Sequence, residues 1–325
     1  VTRPMKGTAP RGRTLEEDRY QAAALHASAK QRAENVMIVD MMRNDLGRVA
    51  APGTVTVPAL LTVERYPNVW QMTSTVTART AKEIRLSDVI AALHPSASVT
   101  GAPKVRTMEI VRELEGRPRG VYTGAIGHVR PDGSARFSVA IRTAVVDRRA
   151  GRVEFGVGSG IVWDSVAGDE YEECLLKGSV LGQRSRSFEL LETMRWTPAE
   201  GVYLRDRHLS RLRDSAEFFG FAIDETAIAQ ALAGVRGVAP LRLRLLVGRN
   251  GGVRLEESRL DPGPETLRVA IADVPVDDRD RFLFHKTTNR SVYERAQRPG
   301  FDDMILWNTR GQVTEATKAN IVVER

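Results

Sequence analysis

The chain has 325 residues, 42% hydrophobic and 27% charged, an ordinary composition for a soluble globular protein with room for two buried cores. No apolar run approaches the roughly 20 residues that span a bilayer, and the N-terminus, Val1-Thr-Arg-Pro-Met-Lys6, lacks the apolar segment of a signal peptide. The net charge of +7 is interspersed with acidic residues rather than gathered into a patch, which argues against nucleic acid as a partner, and the single cysteine, Cys174, excludes an internal disulfide framework and suits a reducing cytoplasm.

Thr14-Leu-Glu-Glu17 has the form of a capping box. Ala22, Leu25, Ala29, Ala33, Val36 and Met37 then recur at helical spacing, predicting one long helix to about Met42. Strands are expected between Gly53 and Thr80, and Thr100-Gly-Ala-Pro-Lys104 opens a helix running to about Glu115. A meander follows, Val121–Arg130 and Ser134–Val146 about the turn Pro131-Asp-Gly133, then Arg152–Val157. Gly156-Val-Gly-Ser-Gly160 leads to a third helix, about Asp169–Leu181. The polar run Gln183-Arg-Ser-Arg-Ser187 breaks the pattern and marks a linker at 183–187, between a first domain at 1–182 and a second at 188–325. The second domain opens with a strand hairpin to about Leu204. Helices at His208–Phe219 and Glu225–Ala233 follow, then strands near Leu241–Val247, Leu267–Ile271, Met304–Trp307 and Gln312–Thr314.

Two groups of residues carry chemistry. Gln31 and Glu34 stand three apart on one helix, and Glu170, Glu173 and Lys177 share a face of another. Carboxylates on facing helices are what an oxygen-liganded Mg²⁺ requires, although solvated helix faces look the same. Gly156, Gly158 and Gly160 offer backbone N–H groups to an anion, or are simply a glycine-rich turn.

The order of motifs adds to this. Pro4-Met-Lys-Gly-Thr8, Ile38-Val-Asp-Met-Met-Arg-Asn-Asp-Leu-Gly-Arg48, Thr100-Gly-Ala-Pro-Lys104, Ala140-Ile-Arg-Thr143, Gly158-Ser-Gly-Ile-Val162 and Glu170-Tyr-Glu-Glu173 resemble the C-terminal part of the chorismate-utilising enzymes. Lys6 resembles the nucleophilic lysine of the aminodeoxychorismate synthases among them, where anthranilate synthases carry a small residue. The resemblance implies that Lys6 adds to chorismate as a nucleophile. It implies that Glu34, Glu170 and Glu173 hold Mg²⁺, and that Thr100, Tyr122, Arg142, Gly158, Gly160 and Lys177 bind the substrate. Ammonia would come from a glutamine amidotransferase subunit. Gln31 departs from the acidic residue of relatives, and Gln71 from the histidine of anthranilate synthases. The family's general-acid glutamate falls ahead of Val1, so the chain is expected to be a fragment at that end.

In the second domain, Phe188-Glu-Leu-Leu-Glu-Thr193, His208-Leu-Ser-Arg-Leu-Arg-Asp-Ser-Ala216, His285-Lys-Thr-Thr-Asn-Arg290 and Thr314-Glu-Ala-Thr-Lys-Ala-Asn320 resemble class IV pyridoxal-phosphate enzymes, aminodeoxychorismate lyase among them. This implies that Lys286 forms the internal aldimine with pyridoxal 5'-phosphate, Glu315 pairs with the pyridine nitrogen and Arg211 binds the phosphate. It also implies a homodimer through this domain, and a continuation past residue 325. The expected fold is α+β throughout: a chorismate-binding fold, then a class IV aminotransferase fold. The expected function is conversion of chorismate to 4-aminobenzoate for folate synthesis in the cytoplasm. Anthranilate or isochorismate synthesis fused to an aminotransferase, and an inactive fragment, are the alternatives.

Overall fold

In the computed structural model, which describes residues 1–178, 181, 187–260, 262–322 and 324, Ser28 interrupts the expected N-terminal helix. Its backbone is extended (φ −65°, ψ 110°) and its hydroxyl accepts a hydrogen bond from Gln31 N, so it caps a new helix instead of continuing the old one. The one helix expected is therefore two, α1 (Leu15–Ala27) and α2 (Ala29–Gly47). The chain forms two units, one of Val1–Ala9 and Ala23–Arg184, the other of Pro10–Ala22 and Ser185–Arg325. Residues 183–186 of the expected linker lie outside the described residues.

The first unit is built on a sheet of order β1-β3-β2, formed by β1 (Met5–Pro10), β2 (Thr56–Arg65) and β3 (Val69–Thr77). Ile38, Val39, Met42 and Leu46 of α2 pack against Val76 of β3 and Ala97. Three further helices follow: α3 (Leu86–Leu93), α4 (Ala97–Thr100) and α5 (Lys104–Glu115). Of these, α3 and α4 are absent from the sequence reading. The expected meander is two separate hairpins, β4 (Ala125–Val129) with β5 (Ala135–Val139) and β6 (Ala144–Asp147) with β7 (Arg152–Phe155). The break falls at 140–143, where Arg142 adopts φ 50°, a left-handed conformation that turns the chain out of the extended path of a strand. The last element is α6 (Ala167–Gly178).

In the second unit, β8 (Leu190–Thr197), β9 (Gly201–Val202), β10 (Leu241–Val247) and β11 (Val253–Arg259) form an antiparallel sheet of order β11-β10-β8-β9. Strand β10, Leu-Arg-Leu-Arg-Leu-Leu-Val, shows the alternation that sets register: Leu243 and Leu245 are fully buried, whereas Arg242 is exposed and Arg244 half-buried. Helices α7 (Arg205–Phe219) and α8 (Glu225–Ala233) cover this sheet through Leu209, Leu212, Ile228 and Leu232. Phe218 is also fully buried, a burial worth about 2–3 kcal/mol. A second sheet, β12-β13-β14, comprises β12 (Val269–Ile271), β13 (Asp303–Trp307) and β14 (Val313–Ala316). The short helix α9 (Ser291–Ala296) packs through Val292 and Tyr293 on Leu306 of β13. Among the described residues no helix is long and apolar enough to cross a membrane.

Candidate active sites

Lys6 lies in β1, and its backbone is fixed before its amine is placed. The fully buried Asn35 of α2 donates from Nδ2 to Lys6 O at 2.8 Å and to Met72 O at 3.3 Å, and its Oδ1 accepts from Ser74 Oγ at 2.6 Å. Gln71 Nε2 donates to Gly7 O at 2.7 Å, and Thr8 Oγ1 to Gln71 Oε1 at 3.1 Å. Gly7 has φ 105°, and a Cβ there would meet the Met72 Cβ at 3.1 Å and Gln31 Oε1 at 3.2 Å. Only glycine suits that conformation and that crowding.

The Lys6 amine reaches Glu34 Oε2 at 3.3 Å and lies over Gly160, where a Cβ would stand 3.3 Å from Nζ. From α6, Lys177 Nζ bridges Glu173 Oε1 at 2.6 Å and Gly158 O at 2.8 Å. Glu170 Oε1 accepts from Ser165 Oγ at 2.7 Å. The Ser159 and Ser165 hydroxyls, then the Lys6 and Lys177 ammonium groups, hold this carboxyl below the usual range. Tyr122 lies across the glycine run: a Cβ on Gly156 would fall 2.3 Å from its Cγ, and one on Gly158 would fall 2.7 Å from its hydroxyl. Burial raises the Tyr122 pKa, so the phenol stays a neutral donor. The structure thus gathers Lys6, Glu34, Tyr122, Gly158, Gly160, Glu170, Glu173 and Lys177.

Thr100 and Arg142 stand apart from this group. Thr100 Oγ1 donates to Ser96 O at 3.2 Å within its own turn, and Arg142 is exposed. Among the described residues no hydrogen bond or ion pair joins either to the cluster. One link runs through Arg119, whose Nη1 donates to Val99 O at 3.1 Å and whose guanidinium lies 6.0 Å from the Tyr122 ring centre.

The described residues do not display the expected Mg²⁺ cage. Glu170 Oε2 is enclosed and, among the described residues, without a hydrogen-bond partner, a position a cation would suit. Yet among the described residues no three of His, Cys, Asp or Glu stand where they could hold a metal ion. Glu34 is paired with Lys6 and Glu173 with Lys177. Two ammonium groups already neutralise the carboxylates that would have to converge, so the residues as arranged do not fit a metal.

The second cluster surrounds Lys286. Lys286 O accepts from Leu191 N at 3.0 Å, and Thr288 N donates to Glu189 O at 2.9 Å, which fastens the lysine's segment to the start of β8. Burial, and then the charge of Arg211, lower the Lys286 pKa, so its amine deprotonates more readily than a surface lysine. No hydrogen bond or ion pair of its Nζ exists among the described residues. On β8 the buried Glu192 accepts two bonds from Arg211 of α7, Nε to Oε1 at 2.8 Å and Nη2 to Oε2 at 2.6 Å, with His208 Nδ1 2.7 Å from Oε2. Glu315, on β14, accepts from the Tyr293 hydroxyl at 3.2 Å on each carboxylate oxygen. Burial raises its pKa against the opposing effects of Tyr293 and Arg290. Asp303 secures the loop after β14, accepting from Thr317 Oγ1 at 2.5 Å, Lys318 N at 3.0 Å and Ala319 N at 2.8 Å.

Sequence reasoning misses Asn35, Glu192, Tyr293 and Asp303. Asn35 does leave a signal, an amide on the apolar face that carries Ile38, Val39 and Met42. The other three sit in ordinary strand and helix patterns.

Two chemistries on two folds are thus present, a lysine–carboxylate cluster beside a glycine run and a depressed-pKa lysine beside a buried carboxylate. The chain belongs to the chorismate binding enzyme family, whose model matches residues 1–182, and the amino-transferase class IV model matches residues 189–325. Its α+β content is that of a chorismate-binding fold followed by a class IV aminotransferase fold. Residues of the first part are 48% identical over 172 positions to aminodeoxychorismate synthase component 1 of Escherichia coli, covering 53% of this chain and 38% of that protein. They are 46% identical over 180 positions to aminodeoxychorismate synthase of Streptomyces griseus (55% and 25%). They are 45% identical over 173 positions to anthranilate synthase component 1 of Methanothermobacter thermautotrophicus (53% and 37%). The chain therefore spans between a quarter and two-fifths of the length of these relatives. The class IV aminotransferase fold implies pyridoxal phosphate. An amine with lowered pKa and no bonding partner among the described residues, together with a half-buried carboxylate, fits its aldehyde and its pyridine nitrogen.

Proposed function

We propose that the first unit aminates chorismate to 4-amino-4-deoxychorismate and that the second eliminates pyruvate from that product to give 4-aminobenzoate. The observation that carries the reading is the Lys6 amine, held over Gly160 and against Glu34 by a backbone that Asn35 fixes. Lys6 adds to C2 of the chorismate ring as the allylic 4-hydroxyl departs with a proton. Ammonia then attacks C4 as the lysine leaves, so chorismate and ammonia give the amine and water. Splitting one hard substitution into two is what an amine nucleophile contributes. Lys177 and the backbone N–H groups of the glycine run suit the substrate's carboxylates. Gln71 supports amination at C4 over anthranilate formation: in place of a histidine it is an amide committed to Gly7 and Thr8. Ammonia is supplied by a glutamine amidotransferase partner, as the resemblance to aminodeoxychorismate synthases implies.

In the second unit Lys286, Glu315 and Arg211, the last braced by Glu192, would hold pyridoxal phosphate through its aldehyde, its pyridine nitrogen and its phosphate. The bound cofactor supplies an electron sink. Lys286 takes the proton from C4 of the substrate, a role that its lowered pKa favours. Pyruvate leaves from C3 and the ring becomes aromatic.

The test is Lys6→Ala, assayed with chorismate and ammonia. A surface lysine is worth within about 0.5 kcal/mol of stability, whereas loss of a nucleophile lowers rate by orders of magnitude. The expected result is an unchanged melting temperature with aminodeoxychorismate formation down by at least about a hundredfold. Equal product from the variant sinks the covalent role.

A further inference from the structure

Glu315 does not stand alone at the end of β14. Its two carboxylate oxygens are both bonded by one phenol, Tyr293 of α9, at 3.2 Å each. That phenol is itself clamped: the guanidinium of Arg290, at the N-cap of α9, lies 4.0 Å from the centre of the Tyr293 ring. Arg290 Nη2 donates to Thr317 O at 2.5 Å, two residues beyond Glu315 on the same segment. Thr317 is 1% exposed and is bound in turn by Asp303 and Gln297. The chain of contacts runs Thr317, Arg290, Tyr293, Glu315, and it closes on one strand end.

We propose that Tyr293 and Arg290 are positioning residues for Glu315, the phenol fixing both carboxylate oxygens and the guanidinium fixing the phenol, so that the carboxylate is kept ionised and aimed as one unit. This rests on the reading that Glu315 faces the pyridine nitrogen of the cofactor. The physical requirement is plain. Burial favours the neutral carboxylic acid, and a neutral acid cannot keep a pyridine protonated. A hydrogen bond to the charged form and a nearby cation both oppose burial, and these are the two effects that Tyr293 and Arg290 have on Glu315. Asp280, the other charged group that acts on Tyr293, raises the phenol's pKa together with burial and Glu315, which keeps the proton on the donor. Arg290 also lowers the pKa of Lys286, so one cation favours the charged form of the carboxylate and the neutral form of the amine.

The test needs no turnover. Glu315 is followed by carbon-13 NMR of the side-chain carboxyl in the cofactor-free chain, titrated from pH 3 to 9. Tyr293→Phe, which keeps the ring and its packing, is expected to move the Glu315 midpoint upward by about one pH unit. Arg290→Met moves it the same way, and Arg290→Lys returns it toward the wild-type value because the charge is restored. A Glu315 midpoint unchanged in both Tyr293→Phe and Arg290→Met overturns the proposal. So does an Arg290→Lys variant that titrates like Arg290→Met. Adding pyridoxal phosphate and borohydride to the same samples separates the underlying reading: a reduced label on a lysine other than Lys286 removes the cofactor site while the titration still judges the positioning.

Discussion

Burial of a single ring sets one pH dependence. His285 precedes the candidate Schiff-base lysine, stacks on Phe218 at 4.2 Å between ring centres, and lies 3.0 Å from Ser215 Oγ. Burial, the dominant cause, pushes its pKa down from 6.5 to about 4. The folded state therefore keeps the ring neutral where the unfolded chain protonates it. The stabilisation is complete above pH 6.5, declines as pH falls from there, and is gone below about pH 4. Integrated over that window it amounts to roughly 3 kcal/mol. Urea midpoints reported by slowly exchanging amides of α7 and β10 should fall between pH 7.5 and pH 4, and His285→Phe should flatten that fall. An equal slope in the variant would place the acid sensitivity elsewhere. The residue scale is also where the sequence was least legible. Lys6, Lys286 and Glu315 are conspicuous because their types and neighbours resemble family motifs. Asn35 and Glu192 act by bonding across elements distant in the chain, and no local spacing encodes such partners.

At the scale of elements, Asp303 decides how β13 begins and β14 ends. Its carboxylate accepts from Met304 N at 2.8 Å as well as from Thr317, Lys318 and Ala319. Burial works against its charge, yet these bonds together outweigh it and hold the pKa below the ordinary aspartate value. Asp303→Ala should lower the stability of the second unit by about 3 kcal/mol, since several buried donors lose their acceptor. Amide exchange gives a sharper reading. Protection of Lys318 and Ala319 should vanish, while that of Thr317, whose N–H bonds to Met304 O, should survive at moderate urea. Retained protection at Lys318 would contradict the assignment. Elements with strong periodicity were read nearly to the residue: α5 and α8 begin and end where the sequence places them. The misses have physical causes. Ser28 reads as a helical residue by spacing but caps instead, and Arg142 takes a left-handed conformation where the chain leaves one hairpin for the next. Strand β11, Val-Arg-Leu-Glu-Glu-Ser-Arg, is a polar edge that only its pairing with β10 makes a strand.

Across the whole molecule, the two units carry chemistries that suit consecutive steps, since the amine the first would make is the substrate the second would consume. The fold classes were legible from ordered motifs. The lysine partners of the acidic residues were not, because spacing along two helices places carboxylates on faces without saying which lysines reach them. The central claim is that nitrogen enters the ring opposite the carboxyl group, and relatives with both names, aminodeoxychorismate synthase and anthranilate synthase, stand at similar identity. The decisive measurement is the position of nitrogen-15 in the product after the chain is incubated with chorismate, labelled ammonia and pyridoxal phosphate. The account predicts label para to the carboxyl group, in 4-amino-4-deoxychorismate and 4-aminobenzoate, with one pyruvate released per aromatic ring formed. Label ortho to the carboxyl group, or chorismate consumed without label entering the ring, would contradict it.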